Sequence, residues 1–223
     1  GRWAPERIWE WYRGIGVIRG VNYLPRTAVN TVEFWQEDTF NADVIDEELG
    51  WAREAGLNSV RVQLQYAVWA RDPKGFRERF GKFLDLADRH GFTVVPVLFD
   101  DLNTLGKDPL PGKQPDPVPG VHNSRWVPSP GLAAIQEKAQ WDGLERYVRD
   151  VVGGLRKDRR ILFWDLYNAP GSSGMGEKSL PLLESAFRWV RQERTRQPVT
   201  AALWGDAGDA ISARLMALSD LVT

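Results

Sequence analysis

The 223-residue chain contains no cysteine, which excludes disulfides, thiolate nucleophiles and cysteine-based metal sites. That absence leaves the compartment open, because a cysteine-free protein folds under either redox condition. Histidine is nearly missing too. His90 and His122 alone cannot build a His-rich metal cluster, and a Ser-His-Asp triad would have to use one of them. An excess of one charge is also lacking: 29 basic side chains against 30 acidic ones leave a net charge of −1, with no electrostatic footprint for nucleic acid or an anionic membrane. No apolar run approaches the ~20 residues needed to cross a bilayer, and no apolar leader precedes Trp3-Ala4-Pro5-Glu6. A signal removed before Gly1 would read the same way, so cytoplasmic and secreted locations both stay open.

What is present is a globular composition, 43% hydrophobic and 26% charged, with a length that suits a single domain over residues 1–223. Eleven tryptophans are a heavy load of large flat side chains. Most are expected in or near the core, where each buries about 150–250 Å², and a minority are expected to line a cleft and stack on flat ligands.

Short apolar runs alternate with helical periodicities. Pro5 can start a first helix, and Val17–Asn22 reads as a first strand. Thr39 or Asn41 can cap a helix bearing Ile45, Leu49 and Ala52, which stops at Gly56. Leu57–Leu64 and Thr93–Phe99 read as strands two and three, although Pro96 removes a ladder donor from the latter. Between them Phe76, Phe80, Phe83, Leu84 and Ala87 follow helical spacing, ending at Gly91. Residues 101–131 form a long irregular segment with seven of the fourteen prolines, and His122, Arg125 and Trp126 within it favour an ordered loop. A helix over 132–156, a strong strand Ile161–Tyr167, a helix around Leu182–Val190, a fifth strand Val199–Trp204, a short helix and a sixth strand at Asp220–Thr223 complete the pattern.

This alternation predicts parallel βαβ units. No GxGxxG turn follows a strand, so a dinucleotide fold is not supported. A (β/α)8 TIM barrel fits better, with about six of its eight βα units in this chain and strands seven and eight lacking. Functional groups then belong just after the strands: Asn22-Tyr23, Gln65-Tyr66, Asp100-Asp101, Asn168-Ala169-Pro170 and Trp204-Gly205-Asp206.

The run Asp165-Leu166-Tyr167-Asn168-Ala169-Pro170-Gly171 resembles the fourth-strand signature of clan A glycoside hydrolases, most of all family five. Gly20-Val21-Asn22-Tyr23, Ser59-Val60-Arg61-Val62, Val97-Leu98-Phe99-Asp100 and Ser219-Asp220-Leu221-Val222-Thr223 are similar to the family in the same order, so the resemblance spans essentially the whole chain. It implies a retaining β-glycoside hydrolase acting on β-linked glucosides or β-glycans, with an oligosaccharide as partner and no metal or other cofactor. By the same resemblance Asn168 matches the residue that bonds the sugar 2-hydroxyl, and Arg61 matches one that lies near the nucleophile; its alternative is a salt bridge in the barrel mouth. Trp204 could stack on a sugar or belong to the core. Asn22, Tyr23, Gln65, Asp100 and Asp101 could meet hydroxyls, and His122 and Trp126 could wall a subsite or simply pin their own loop.

The departure from the family is Ala169, where the acid/base Glu of an Asn-Glu-Pro motif is expected, and the family's nucleophile would fall beyond Thr223. Two origins fit Ala169: a deliberate Glu-to-Ala change, or natural loss in a carbohydrate-binding pseudoenzyme. The intact neighbours Asn168 and Pro170 favour the first. A barrel lyase or aldolase is disfavoured, since the lysines all fall away from strand ends. His90 reads as a structural group at a helix end, and Asp43, Asp46, Glu47 and Glu48 read as a solvated helix face rather than a site.

Overall fold

The structure is a computed structural model and describes residues 1–204 and 209–223. It contains, in chain order, α1 (Pro5–Ile15), β1 (Gly20–Asn22), α2 (Thr31–Trp35), α3 (Ala42–Glu54), β2 (Ser59–Gln63), α4 (Tyr66–Arg71), α5 (Pro73–Arg89), β3 (Thr93–Asp100), α6 (Leu132–Gln136), α7 (Trp141–Leu155), β4 (Trp164–Asn168), α8 (Leu180–Gln192), β5 (Val199–Thr200) and α9 (Ala210–Leu218). The five strands form one sheet in the order β1-β2-β3-β4-β5, and every pairing is parallel. This is the predicted TIM-barrel pattern, present in part.

The main core lies between the sheet and its helices. Phe76, Phe80, Phe83, Leu84 and Ala87 put one face of α5 against it, as their spacing predicts. Trp35 is fully buried, stacks on Phe34 at 4.0 Å between centroids, and donates its indole N–H to Gln63 O at 2.7 Å. Burying each such side chain contributes roughly 1.5–3 kcal/mol. Leu144, Tyr147, Val148, Val151 and Val152 do the same for α7. Five tryptophans are buried (Trp35, Trp69, Trp126, Trp164 and Trp189), whereas Trp9, Trp51 and Trp204 are exposed.

Several predicted elements are shorter than expected, each for a local reason. The first strand begins only at Gly20, because Asn58 takes over the preceding ladder with its side chain: Oδ1 accepts from Arg19 N and Nδ2 donates to Val17 O. β4 begins at Trp164 rather than Ile161, which makes only an isolated bridge to Val94. The Val94 N–H points toward this strand, bonding Arg160 O. By strand alternation position 96 faces the same way, and Pro96 has no N–H to give. The fifth strand is two residues long and the sixth does not form a strand. The Asp220 carboxylate accepts from Val199 N at 2.8 Å, so a side chain occupies a ladder position. Residues 220–223 nevertheless lie beside β5, with Asp220 N bonded to Val199 O and Leu203 N to Thr223 O.

The single helix expected over 132–156 is broken into α6, a short 3-10 turn and α7. Trp141 folds back to donate its indole N–H to Ala134 O, closing the break. The 101–131 segment is ordered, as expected. Asn30 donates to Gln114 Oε1 and Arg125 O, and Gln36 exchanges two bonds with Gly112. The acidic stretch of α3 is more than a solvated face: Asp46 pairs with His90 and Arg89, Glu47 with Arg26, and Glu48 with Arg26 and Tyr23. No helix among the described residues is long and apolar enough to cross a membrane.

At the N-terminal end of the sheet, Trp11 and Ile15 of α1 pack with Leu221 on a small cluster of Val95, Leu162 and Phe163. One polar group anchors this end. Asp220, with a fully buried side chain, accepts from Trp3 N at 2.7 Å and from both terminal nitrogens of Arg191, besides Val199 N.

Candidate functional site

A cleft of about 540 Å³ opens at the C-terminal ends of the strands. It is lined by Asn22 and Tyr23 after β1, Arg61 and Gln63 on β2, Leu102 after β3, His122, Asn123 and Trp126 of the long loop, Asn168 and Ala169 at β4, and Trp204 after β5. Seven of the predicted residues besides Arg61 thus converge on one cavity: Asn22, Tyr23, His122, Trp126, Asn168, Ala169 and Trp204.

Arg61 organises the floor. Its Nε and Nη2 reach Asp165 Oδ2 at 2.8 and 2.7 Å, Nη2 also donates to Asn168 Oδ1 at 3.0 Å, and Nη1 donates to Asn22 Oδ1 at 3.1 Å. The salt bridge in the mouth is therefore present, and the same guanidinium also orients two cleft amides. Asp165 is fully buried. Burial pushes its pKa upward, against the opposing pull of Arg61.

Asn168 is held from its other side by Asp100. Nδ2 donates to Asp100 Oδ1 at 2.9 Å, while Leu102 N donates to the same oxygen and Trp126 Nε1 donates to Oδ2, each at 2.8 Å. Asp100 is itself buried and absent from the cleft surface, so it does not meet a ligand as expected. Burial raises its pKa to about 7 even though three N–H groups favour the carboxylate. Its neighbour Asp101 is fully buried as well and likewise has no access to a ligand. It accepts from Tyr167 Oη at 2.7 Å, from Gly171 N at 2.6 Å and from the Ser179 hydroxyl, and burial raises its pKa.

Between the residues gripped by Asp101 lies Ala169, buried, with a left-handed φ of 47°. This backbone costs an L-residue with a Cβ on the order of 1 kcal/mol. Gly171 follows at φ 88°, where an added Cβ would come within 2.5 Å of Ile211 Cδ1. Ala169 itself is part of the lining of the cleft.

One other prediction is corrected, while Tyr23 and Trp126 line the cleft with their polar atoms committed elsewhere. Gln65 is fully buried: its Nε2 donates to Thr31 Oγ1 and Pro128 O, and its Oε1 caps α4 at Ala67 N. It lies two residues beyond Gln63, the last cleft-lining residue of β2, and serves as the N-cap of α4. Tyr23 presents its ring but not its hydroxyl, which donates to Glu48 Oε2 at 2.7 Å. Burial and Glu48 push that phenol far above its ordinary pKa. Trp126 is a wall, but a buried one, with its indole N–H committed to Asp100. His122 and Trp204 are exposed, Trp204 by 53%, and their side chains are available to a ligand. Gly205 and Asp206, predicted beside Trp204, lie outside the described residues. The sequence reading missed Arg26, Gln63, Leu102, Asn123 and Leu203, which also line the cleft. Gln63 and Leu102 adjoin strand ends, so the search for residues after strands could have reached them. Asn123, left-handed at φ 49°, carries no such signal.

Among the described residues, no group of three or more His, Asp or Glu is placed to hold a metal ion.

No protein-family model matches the chain, and no curated protein matches it. Solved structures do. A GH5_18 protein from Streptomyces cattleya in complex with GlcNAc is similar at TM-score 0.54 and 15% identity, over 84% of this chain and 45% of that one. A mutant form of Thermotoga maritima Cel5A in complex with cellobiose is similar at TM-score 0.57 and 17% identity, over 88% and 59%. An endogalactoceramidase is similar at TM-score 0.57 and 16% identity, over 92% and 54%. The chain spans about half the length of these structures. At such identities the likeness establishes the barrel fold, shared with glycoside hydrolases.

Proposed function

We propose that the cleft is the glycan-binding face of a retaining β-glycoside hydrolase of family-five type, lacking its general acid/base at position 169. The observation that carries this reading is the convergence of Arg61, Asn168, Ala169 and Trp204 on one cleft at the strand ends, in the order the motifs imply. Exposed Trp204 offers a stacking face, and Asn168 offers a fixed amide for a sugar hydroxyl. A retaining mechanism needs two carboxyl groups roughly 5–5.5 Å apart, one as nucleophile and one as acid and then base. A methyl group at 169 transfers no proton. The resemblance puts the acid/base at 169 and the nucleophile after Thr223, and it requires no cofactor.

A second reading, a carbohydrate-binding protein without catalysis, is favoured by the absence of any carboxylate among the described residues lining the cleft. The two readings part on an aryl β-glycoside with a good leaving group, assayed with and without azide and alongside a binding titration. A β-glycosyl azide product establishes the nucleophile and makes position 169 the lost acid/base, because azide needs no general base. Glycan binding with no turnover in either condition supports the binding protein. Absence of both binding and turnover overturns both readings.

A further inference from the structure

Asp100 takes no part in the proposed chemistry, yet it is a buried carboxylate that collects donors from three segments: Leu102 N, Trp126 Nε1 and Asn168 Nδ2. The amide of Asn168 therefore lies between a cation and an anion. Its oxygen accepts from Arg61 Nη2 at 3.0 Å, and its nitrogen donates to Asp100 Oδ1 at 2.9 Å. Turning the amide over would set N–H against N–H at Arg61 and oxygen against carboxylate at Asp100. Both contacts are charge-assisted, so both act against that flip. One amide N–H and one lone pair of Asn168 are left uncommitted by these bonds, on a residue that lines the cleft.

We propose that Asp100 is a positioning residue that fixes the orientation of the Asn168 amide and so confers recognition of a single sugar hydroxyl. This rests on the reading of the cleft as a glycan site and of Asn168 as the partner of the 2-hydroxyl. The same carboxylate holds the Trp126 wall, so the loop and β4 are set relative to each other from one buried group.

The test uses 4-nitrophenyl β-glucoside and β-mannoside together with their shared 2-deoxy counterpart, which lacks only the hydroxyl in question. The parent chain is expected to prefer the better of the two glycosides over the 2-deoxy compound by about tenfold, the worth of one hydrogen bond. Asp100→Ala removes every acceptor and should abolish that preference. Asp100→Asn can keep its oxygen toward Leu102 and Asn168 and give up only Trp126, so it should retain the preference within about threefold. In an Asn168→Ala background, Asp100→Ala should cost no further preference. The proposal is overturned if Asp100→Ala weakens all three ligands equally, or if the two substitutions act independently.

A ligand-free measurement separates this proposal from the reading beneath it. In the parent's NMR spectrum the two side-chain amide protons of Asn168 should be separated more widely than in a free amide, and Asp100→Ala should narrow that separation toward the free value while Asp100→Asn preserves most of the excess. If no glycoside binds the parent, the glycan reading falls. An unchanged Asn168 amide in Asp100→Ala would overturn the positioning role regardless of binding.

Discussion

At the C-terminal ends of β2, β3 and β4, Arg61, Asp100 and Asp165 are packed beneath a polar cleft, and each charged atom is matched to a particular donor or acceptor. Between α1, the residue before β4 and the segment 220–223, Trp3, Trp9, Trp11, Tyr12, Phe163 and Leu221 surround an apolar groove of about 690 Å³. One sheet thus carries two kinds of order. The mouth is held by directional contacts, where a single lost partner leaves a buried group unmatched. The opposite end is held mainly by contact area, which responds to a substitution in proportion to the surface removed. Asp220 and the Asn58 amide are directional devices at this end. The directional contacts that meet at an open cleft are those of the mouth.

The largest expected break in this contrast is Asp165→Asn. It removes the charge opposite Arg61 while conserving volume, and a buried pair broken on one side costs about 3 kcal/mol. Urea denaturation should show that loss, and a cost under about 1 kcal/mol would mean that solvent already shares the pairing.

A pH profile comes next. The Asp100 pKa rises to about 7 in the fold from an ordinary 3.8. Between those values the folded chain holds a proton that the unfolded chain releases, so stability falls as pH rises from about 4 to about 7. Asp101 and Asp165 are shifted in the same direction by burial. Asp46, held down by His90 and Arg89, Asp72, held down by the Gly75 amide and Arg79, and Asp158, held down by Arg160, contribute above 3.8 and lose their contribution as pH falls through their lowered values. The thermal midpoint should therefore peak near pH 4, and Asp100→Asn should flatten the limb between 4 and 7. A parent profile that climbs steadily to pH 7 would contradict the role given to the mouth carboxyls.

The smallest effect is expected at the other end. Trp9 is 57% exposed and α1 buries no residue fully, so Trp9→Ser should change stability by less than about 0.5 kcal/mol. A loss several times larger would show that the groove is a cooperative part of the core.

The same contrast explains what could be read from the sequence. Area-driven features were legible: the phenylalanine spacing of α5, the helix stop at Gly56, the apolar runs of β2 and β3. The positions facing the cleft followed from the strand ends and the Asn168 motif. Illegible were the places where a side chain replaces a backbone partner: Asn58 before β1, Asp220 beside β5, Gln65 capping α4. Such exchanges are set by distances between segments far apart in the chain, which local pattern does not encode. Asp100 shows the same limit. Its place after a strand was apparent, but its burial beneath Asn168 and Trp126 arises only when the long loop closes over it.

The contact of Asp220 with the Trp3 amide makes neighbours in space of two positions 217 residues apart. A short glycine-serine linker could therefore connect residue 223 of this chain to residue 1, and the ring could be reopened at the exposed turn near Arg156 and Lys157. Such a circular permutant would present β4, α8 and β5 before β1 while preserving which strand lies beside which. The cleft depends on that adjacency, so its amide and guanidinium contacts should be indifferent to where the chain begins.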